Sequence, residues 1–396
     1  MDYEKVLCRR VADVPPSGIR KFFDIVSEMK DAISLGVGEP DFDTPWVISD
    51  AAAYSLRRGK THYTSNWGLL ELRREIGRYL EERFCVSYDP AKEILVTVGA
   101  SEGIDLALRA LVEPGDQVLV PEPSYVSYSP GVAFAGGEAV AVPTRAENQF
   151  RLMAEDVKSR LTPRTKALIL PYPNNPTGAV MGRDDLLALS EVLRGTDVVV
   201  ISDEIYAELN YGDQPHVSFA SLPGMWERTV TLNGFSKAFA MTGWRMGFLC
   251  APAPLAAVMV KIHQYVIMCA PTAGQYAALE ALKNGRETDY AHVRRMVREY
   301  DRRRRIMLSA YRDMGLPCFE PKGAFYTFPC VRAVGMTSQQ FALNLLKEEK
   351  VAVVPGDAFG ASGEGFVRCS YATATDKVIE AMARMKRFVE HHSPNT

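Results

Sequence analysis

The sequence predicts an α/β protein, an open and mostly parallel sheet between helices, with a smaller α+β region after it. Three observations point there. Strand-like runs of Val, Ile and Leu recur between residues 94 and 252, and several are apolar throughout instead of alternating. A strand covered on both faces reads that way, and parallel sheets are the ones so covered. Helical patterns at 101–112, 184–194 and 272–283 accompany them, as crossover connections require. Near residue 285 the texture changes to a long arginine-rich helical pattern and then short strands.

In chain order, residues 1–44 read as an arm that joins the smaller domain, broken by Pro-Pro-Ser-Gly at 15–18. A large domain spans 45–284. Its strands are "ILVTV" (94–98), "QVLVP" (117–121), "KALILP" (166–171), "DVVVIS" (197–202), "TVTLN" (229–233) and "MGFLCAP" (246–252). Each is bounded by Gly, Pro, Asn or Asp, or by the start of a helical pattern. The smaller domain spans 285–396. There "REYDRRRRIMLSAYRDMG" (298–315) is helical, "GAFYTFPCV" (323–331) and "EGFVRCSYA" (364–372) are strands, and 337–349 and 375–390 are helices. The arginine run 302–305 reads as a solvated helix face, because it is short and the chain's net charge is −2.

Composition excludes several function classes. A near-neutral chain offers no electrostatic footprint for nucleic acid or an anionic membrane. The seven cysteines are scattered and odd in number, with no CxxC pair, which predicts reduced thiols, a cytoplasmic protein and no zinc site. The six histidines lack HxxxH or HExxH spacing, so no metal is expected. The first residues hold no apolar stretch of signal-peptide type, and no segment is apolar enough to span a membrane.

Ligands of open α/β sheets bind beyond the carboxyl ends of the strands, so the residues that follow each strand carry the chemistry. After 94–98 come Gly99, Ala100, Ser101 and Glu102, a glycine turn running into a helix whose free N–H groups suit a phosphate, with Ser101 as its cap. After 117–121 comes Tyr125. After 166–171 comes "YPNNPTG", in which Asn175 is an amide donor. Asp203 follows an apolar strand and should need a cationic partner; Tyr206 is three residues on. After 229–233 comes Lys237, amid Phe235, Ala238, Phe239 and Met241, with Arg245 beyond. One strand edge thus gathers an anion cradle, an aromatic ring, an amide, a carboxylate, a phenol, a lysine and an arginine. That set suits a phosphorylated pyridine aldehyde: lysine for the aldehyde, aspartate for the ring nitrogen, helix terminus and arginine for the phosphate.

At these residues the sequence resembles the fold-type I pyridoxal-phosphate enzymes of aminotransferase class I/II, from "ISLGVGEPDFDTP" (33–45) to "FVRCSYAT" (366–373). The ordered set "HYTSNWG", "GASEG", "PSY", "NNPTG", "SDEIY", "SKAFAMTGWRMG" and "VVPGDAFG" carries the resemblance. It implies a seven-stranded sheet and pyridoxal 5'-phosphate as cofactor. It implies Lys237 as the Schiff-base lysine and proton carrier, Asp203 on the ring nitrogen, Asn175 and Tyr206 on the ring hydroxyl, and Tyr125 stacked on the ring. Ala100, Ser101 and the turn at Gly99 would hold the phosphate with Arg245. Tyr63 would reach the neighbouring subunit's phosphate, which implies a homodimer with shared sites. Arg368 would clamp the substrate carboxylate, helped by Asn175 and the backbone near Gly38, with Ile19 of the arm closing over. Many relatives carry a serine three residues before the lysine; here that place is Gly234, and Ser236 is the candidate substitute.

The expected reaction moves the amino group of an L-amino acid to a 2-oxo acid, 2-oxoglutarate first, in ping-pong fashion. The helix after the phosphate turn holds Glu102 and Asp105 and no early lysine, where relatives specific for aspartate often place a basic residue, which counts against a dedicated aspartate enzyme. The stretch from "GASEGIDLALRAL" to "EPSYVSYSPGVAFAGG" resembles the branch that includes aromatic and N-acetyl-diaminopimelate aminotransferases, so an aromatic or bulky donor is expected, with aspartate, alanine or N-acetyl-diaminopimelate as alternative substrates. A β-eliminating lyase on the same fold is the alternative. A ligand-sensing regulator is disfavoured, since only some 30 residues precede the core pattern.

Overall fold

The computed structural model describes residues 1, 3–16, 31–212 and 215–392. Ile19 lies outside them, so its expected contact with substrate has no structural counterpart here. Seven strands form the large sheet: β1 (Ile94–Val98), β2 (Gln117–Glu122), β3 (Glu138–Pro143), β4 (Thr165–Leu170), β5 (Val199–Asp203), β6 (Thr229–Gly234) and β7 (Met246–Cys250). Their order is β1-β7-β6-β5-β4-β2-β3, with every pairing parallel except the two that β7 makes. Six of these strands coincide with the apolar runs of the sequence. β3 does not: it lies at one edge of the sheet and, unlike β1 at the other edge, is partly exposed along its length, so its residues never needed to be continuously apolar.

The pleat sends neighbouring residues into different cores. Ile94, Val96, Phe248 and Cys250 join one apolar cluster, while Leu95 and Leu249 join another on the opposite face. Each such side chain contributes roughly 1.5–3 kcal/mol when fully buried, which is why the inner strands read as solid Val/Ile/Leu.

Beyond the sheet, the helices Ala291–Asp313, Ser338–Glu349 and Thr375–His392 surround short strands. Val354–Pro355, Val367–Ser370 and Tyr326–Thr327 pair antiparallel, and Ile33–Ser34 pairs parallel with Val351–Ala352. The core beneath them includes Tyr300, Phe341 and Phe388, and reaches Tyr206 and Ala240 beside the large sheet. The arginine run is only half a solvated face. Helical periodicity turns Arg303 and Arg304 inward, where both are buried; Arg303 donates to Asp41 at 2.8 and 2.9 Å and Arg304 to Asp301 and Glu320. Arg302 and Arg305 stay exposed. Among the described residues no helix is long and apolar enough to cross a membrane.

Candidate active site

The carboxyl ends of the sheet strands open onto a cavity of about 340 Å³. Lys237 stands at its centre. β6 ends at Gly234, and the chain turns tightly: Phe239 N–H donates to Phe235 O at 3.2 Å and Met241 N–H to Ser236 O at 3.2 Å. Phe235, Phe239 and Met241 are buried below the turn, which leaves Lys237 facing the cavity. Its Nζ donates to Gly38 O at 2.6 Å and lies 5.6 and 5.5 Å from the ring centres of Tyr206 and Phe325. Burial, and next the charge of Arg368, push its pKa down to about 8. A desolvated ammonium beside a guanidinium is poorly stabilised, so the neutral amine gains.

Asp203 closes β5 and is buried. The expected cationic partner is not a side chain at hydrogen-bond distance. Its Oδ2 accepts from Tyr128 Oη at 2.8 Å and its Oδ1 from Ile205 N–H at 3.2 Å. Burial raises its pKa, while the Tyr128 and Ile205 hydrogen bonds pull it back and Lys237 adds a smaller lowering. The next residue, Glu204, points the other way and accepts from Ser202, Ser218 and Phe219 N–H, which anchors the strand end. Tyr206 lies beyond the turn, with its hydroxyl 2.9 Å from that of Tyr326.

The first turn of the Gly99–Leu111 helix forms another wall. Ser101 was expected to cap this helix; instead the helix begins at Gly99 and no side chain caps it. Glu102 Oε2 accepts Val98 N–H at 2.5 Å, so Ser101 sits inside the first turn, whose N–H groups face outward as an anion site. The fit is tight. Gly99 has φ +72°, and a Cβ there would lie 2.7 Å from Arg245 Nη2; a Cβ on Gly247 would lie 2.5 Å from Ala100 N. Arg245 Nη1 donates to Thr242 O at 3.0 Å, which brings its guanidinium beside the turn.

Arg368 completes the cavity from the smaller region. Ser370 pairs with Tyr326 and Cys369 with Thr327, so Arg368 and Tyr326 are diagonal neighbours on one face. Arg368 is buried. Its Nη1 donates to Asn175 Oδ1 at 2.9 Å and its Nη2 to Gly36 O. Its guanidinium carbon lies 4.5 Å from the Tyr326 ring centre and 4.9 Å from that of Phe359. Among the described residues Arg368 Nε has no hydrogen-bond acceptor. Asn175 is held in place because its buried neighbour Asn174 accepts from Thr177 N–H and Oγ1 and fixes the turn.

Of the residues singled out in the sequence, Gly38, Ala100, Ser101, Tyr125 and Asn175 line the cavity, as do Asp203, Tyr206, Ser236, Lys237, Arg245 and Arg368. Gly99 lies directly behind. Tyr63 is 79% exposed and does not line the cavity. At Gly234 a Cβ would lie 2.9 Å from Gly247 Cα and from Met246 O, so a serine there has no room without moving β7. Sequence reasoning missed Tyr128 and Tyr326. Tyr128 follows Tyr125 by three residues and starts a helix, a spacing that puts both rings on one side. Tyr326 carried no such signal, since Phe325 and Thr327 beside it are equally buried.

The model of the family "Aminotransferase class I and II" matches residues 30–385. An aspartate aminotransferase of Pyrococcus abyssi is 50% identical over 374 residues, 94% of this chain and 96% of that protein. An aromatic-amino-acid aminotransferase of Thermococcus litoralis is 46% identical over 384 residues, 97% of this chain and 98% of that one. The crystal structure of an aromatic aminotransferase from Pyrococcus horikoshii superposes with a TM-score of 0.89 at 48% identity, covering 93% of this chain and 99% of that one. The chain belongs to the class I/II aminotransferases, enzymes that use pyridoxal phosphate, and its α/β fold is the one the sequence predicted. The site fits that cofactor on its own chemistry. A buried carboxylate has only neutral hydrogen-bond donors, an uncapped helix end stands beside an arginine, and a buried lysine is biased toward its neutral form.

Proposed function

We propose that this aminotransferase takes L-amino acids with aromatic or otherwise bulky side chains, with 2-oxoglutarate as acceptor, in ping-pong fashion. One observation carries the donor preference. The cations that line the cavity are Lys237, Arg245 and Arg368. In this reading all three are engaged, at the reacting centre, the phosphate and the α-carboxylate, so no cation among the described lining residues remains for an acidic side chain. The wall left beside them offers Ile205 and Tyr326. The relatives named for aromatic amino acids support the preference, and the several named for aspartate set the competing donor.

When bound, the cofactor supplies an aldehyde for covalent attachment and a conjugated ring that accepts the electron pair released at the substrate Cα. The chain's own residues do the rest. Lys237 Nζ would hold the aldehyde until the substrate amine displaces it, and the amine so freed would take the Cα proton and return it. Asp203 keeps the ring nitrogen protonated by pairing with it, and Tyr128 orients Asp203. Asn175 and Tyr206 donate to the ring hydroxyl, and Tyr125 covers the ring. Gly99, Ala100, Ser101 and Arg245 bind the phosphate, with Ser236 as the added hydroxyl. Arg368 would grip the carboxylate, its Nε, which lacks an acceptor among the described residues, completing a two-point contact, while Gly38 lines the same cavity.

A homodimer supports this site. Trp46, Tyr54, Tyr63, Tyr265 and Val266 are all more than half exposed, and Asn66 Nδ2 to Gln264 at 3.2 Å and Thr272 Oγ1 to His62 O at 2.8 Å tie parts of this surface together. An apolar face of that kind fits a second copy of the chain, to whose cavity Tyr63 would contribute. In this reading residues 45–284 form the cofactor floor, while 1–44 and 285–396 carry the clamp. The unpaired thiols among the described residues suit a cytoplasmic enzyme.

The test is spectral. Single amino acids are added to the holoenzyme without acceptor, and the visible band is followed. Loss of the band with phenylalanine and tyrosine, and release of the matching 2-oxo acids, is expected. Conversion by aspartate alone would move the donor assignment to acidic amino acids. Pyruvate and ammonia from cystathionine, with the band unchanged, would assign a β-lyase instead.

A further inference from the structure

Tyr206 and Tyr326 are both buried, and their hydroxyls lie 2.9 Å apart. Each phenol has one proton to give. If Tyr206 donates to the ring hydroxyl of the cofactor, the reading on which this inference rests, it can only accept from Tyr326. Tyr326 is suited to be the donor. The Arg368 guanidinium lies 4.5 Å from its ring centre, and a cation there favours proton release from the phenol. Burial raises the pKa of both phenols and the charge of Arg368 draws both back, as the second-largest influence on Tyr326 and a lesser one on Tyr206. The more acidic phenol makes the better donor. The hydroxyl is also enclosed: a Cβ on Gly38 would lie 2.8 Å from Tyr326 Oη, and Gly38 O is the atom that accepts from Lys237.

We propose that Tyr326 is a positioning residue whose hydroxyl donates to Tyr206 and aims the single proton of Tyr206 at the cofactor, while its ring seats Arg368. One side chain thus joins the group that tunes the cofactor to the group that grips the substrate. Hydrogen bonds in such a chain strengthen one another in a low-dielectric interior.

The test uses the holoenzyme and the pH titration of its visible band, which reports how strongly the ionised ring oxygen is stabilised. Tyr326→Phe keeps the ring and removes one O–H. The pKa of the band should rise by roughly half a unit, about the size of a modest hydrogen bond. Binding of phenylpropionate, a carboxylate probe of Arg368, should be unchanged. Tyr206→Phe should raise the pKa further, and Tyr206→Phe/Tyr326→Phe should match Tyr206→Phe alone, since the effect passes through Tyr206. A shift in Tyr206→Phe but none in Tyr326→Phe overturns the inference. So does a Tyr326→Phe shift of equal size in the Tyr206→Phe background, which would show that Tyr326 acts across space. No shift in Tyr206→Phe itself would overturn the reading of Tyr206, and this inference with it.

Discussion

Two ends of the cavity mirror each other. At the carboxyl end of the sheet, Asp203 is a buried carboxylate whose hydrogen-bond partners, Tyr128 and Ile205 N–H, are neutral. At the opposite wall, Arg368 is a buried guanidinium whose partners, Asn175 and Gly36 O, are neutral too. A buried charge with neutral partners is costly for a fold alone. Two of opposite sign, facing one cavity, make sense as receivers for a cation on one side and an anion on the other. Lys237 lies between them and is coupled to both: Arg368 lowers its pKa and Asp203 raises it, the former being the stronger.

The comparison breaks most visibly if each end is altered alone. Asp203→Asn should lower kcat by about a hundredfold to a thousandfold, shift the visible band and leave phenylpropionate binding intact. Arg368→Lys should cost a similar factor in kcat/KM through loss of the two-point contact, which a lysine cannot reproduce, with an unchanged band. Steady-state kinetics, spectra and inhibitor titration on the same samples decide it; if both variants show the same pattern, the two ends are not separate receivers.

A smaller effect sharpens the coupling. Cofactor uptake by the cofactor-free chain requires neutral Lys237, so its rate should climb with pH and level off above about 8. The sign for stability follows from the same shift. The folded pKa lies below the unfolded one, so the cost of keeping Lys237 charged is present below about pH 8 and is relieved as pH rises from there toward the model-peptide value near ~10.4. Arg368→Leu should move the uptake midpoint upward and Asp203→Asn should move it downward; stopped-flow absorbance between pH ~6.5 and ~9.5 reads both.

The smallest expected effect tests the phosphate wall. Gly247→Ala places a methyl 2.5 Å from Ala100 N, so the first turn must shift. Cofactor affinity should fall by about tenfold, with a stability loss of roughly 1–3 kcal/mol, read by cofactor titration and denaturant unfolding. Unchanged affinity would mean that the helix end is not the anion site.

The half of the site at the carboxyl end of the sheet was legible because each residue follows its strand directly. Asn175, Asp203 and Lys237 sit a few residues beyond continuous apolar runs, where the parallel topology puts ligands. β3 was missed because it is partly exposed along its length, unlike β1 at the other edge, and Ser101 was misplaced because the helix starts at Gly99, three residues before a helix capped by Ser101 would. The half-buried arginine run was misread because net charge says nothing about which helix face turns inward.

The sequence by itself determined which apolar runs become inner strands and placed a lysine, a carboxylate and a glycine turn just beyond their ends, since period, apolarity and turn chemistry are local. Only the tertiary structure decided that Tyr128 serves Asp203, that Tyr326 stands between Tyr206 and Arg368, and that Gly38 O meets Lys237. Those contacts join residues 42 to 199 positions apart, and no local pattern encodes a distance set by how the sheet and the smaller region pack.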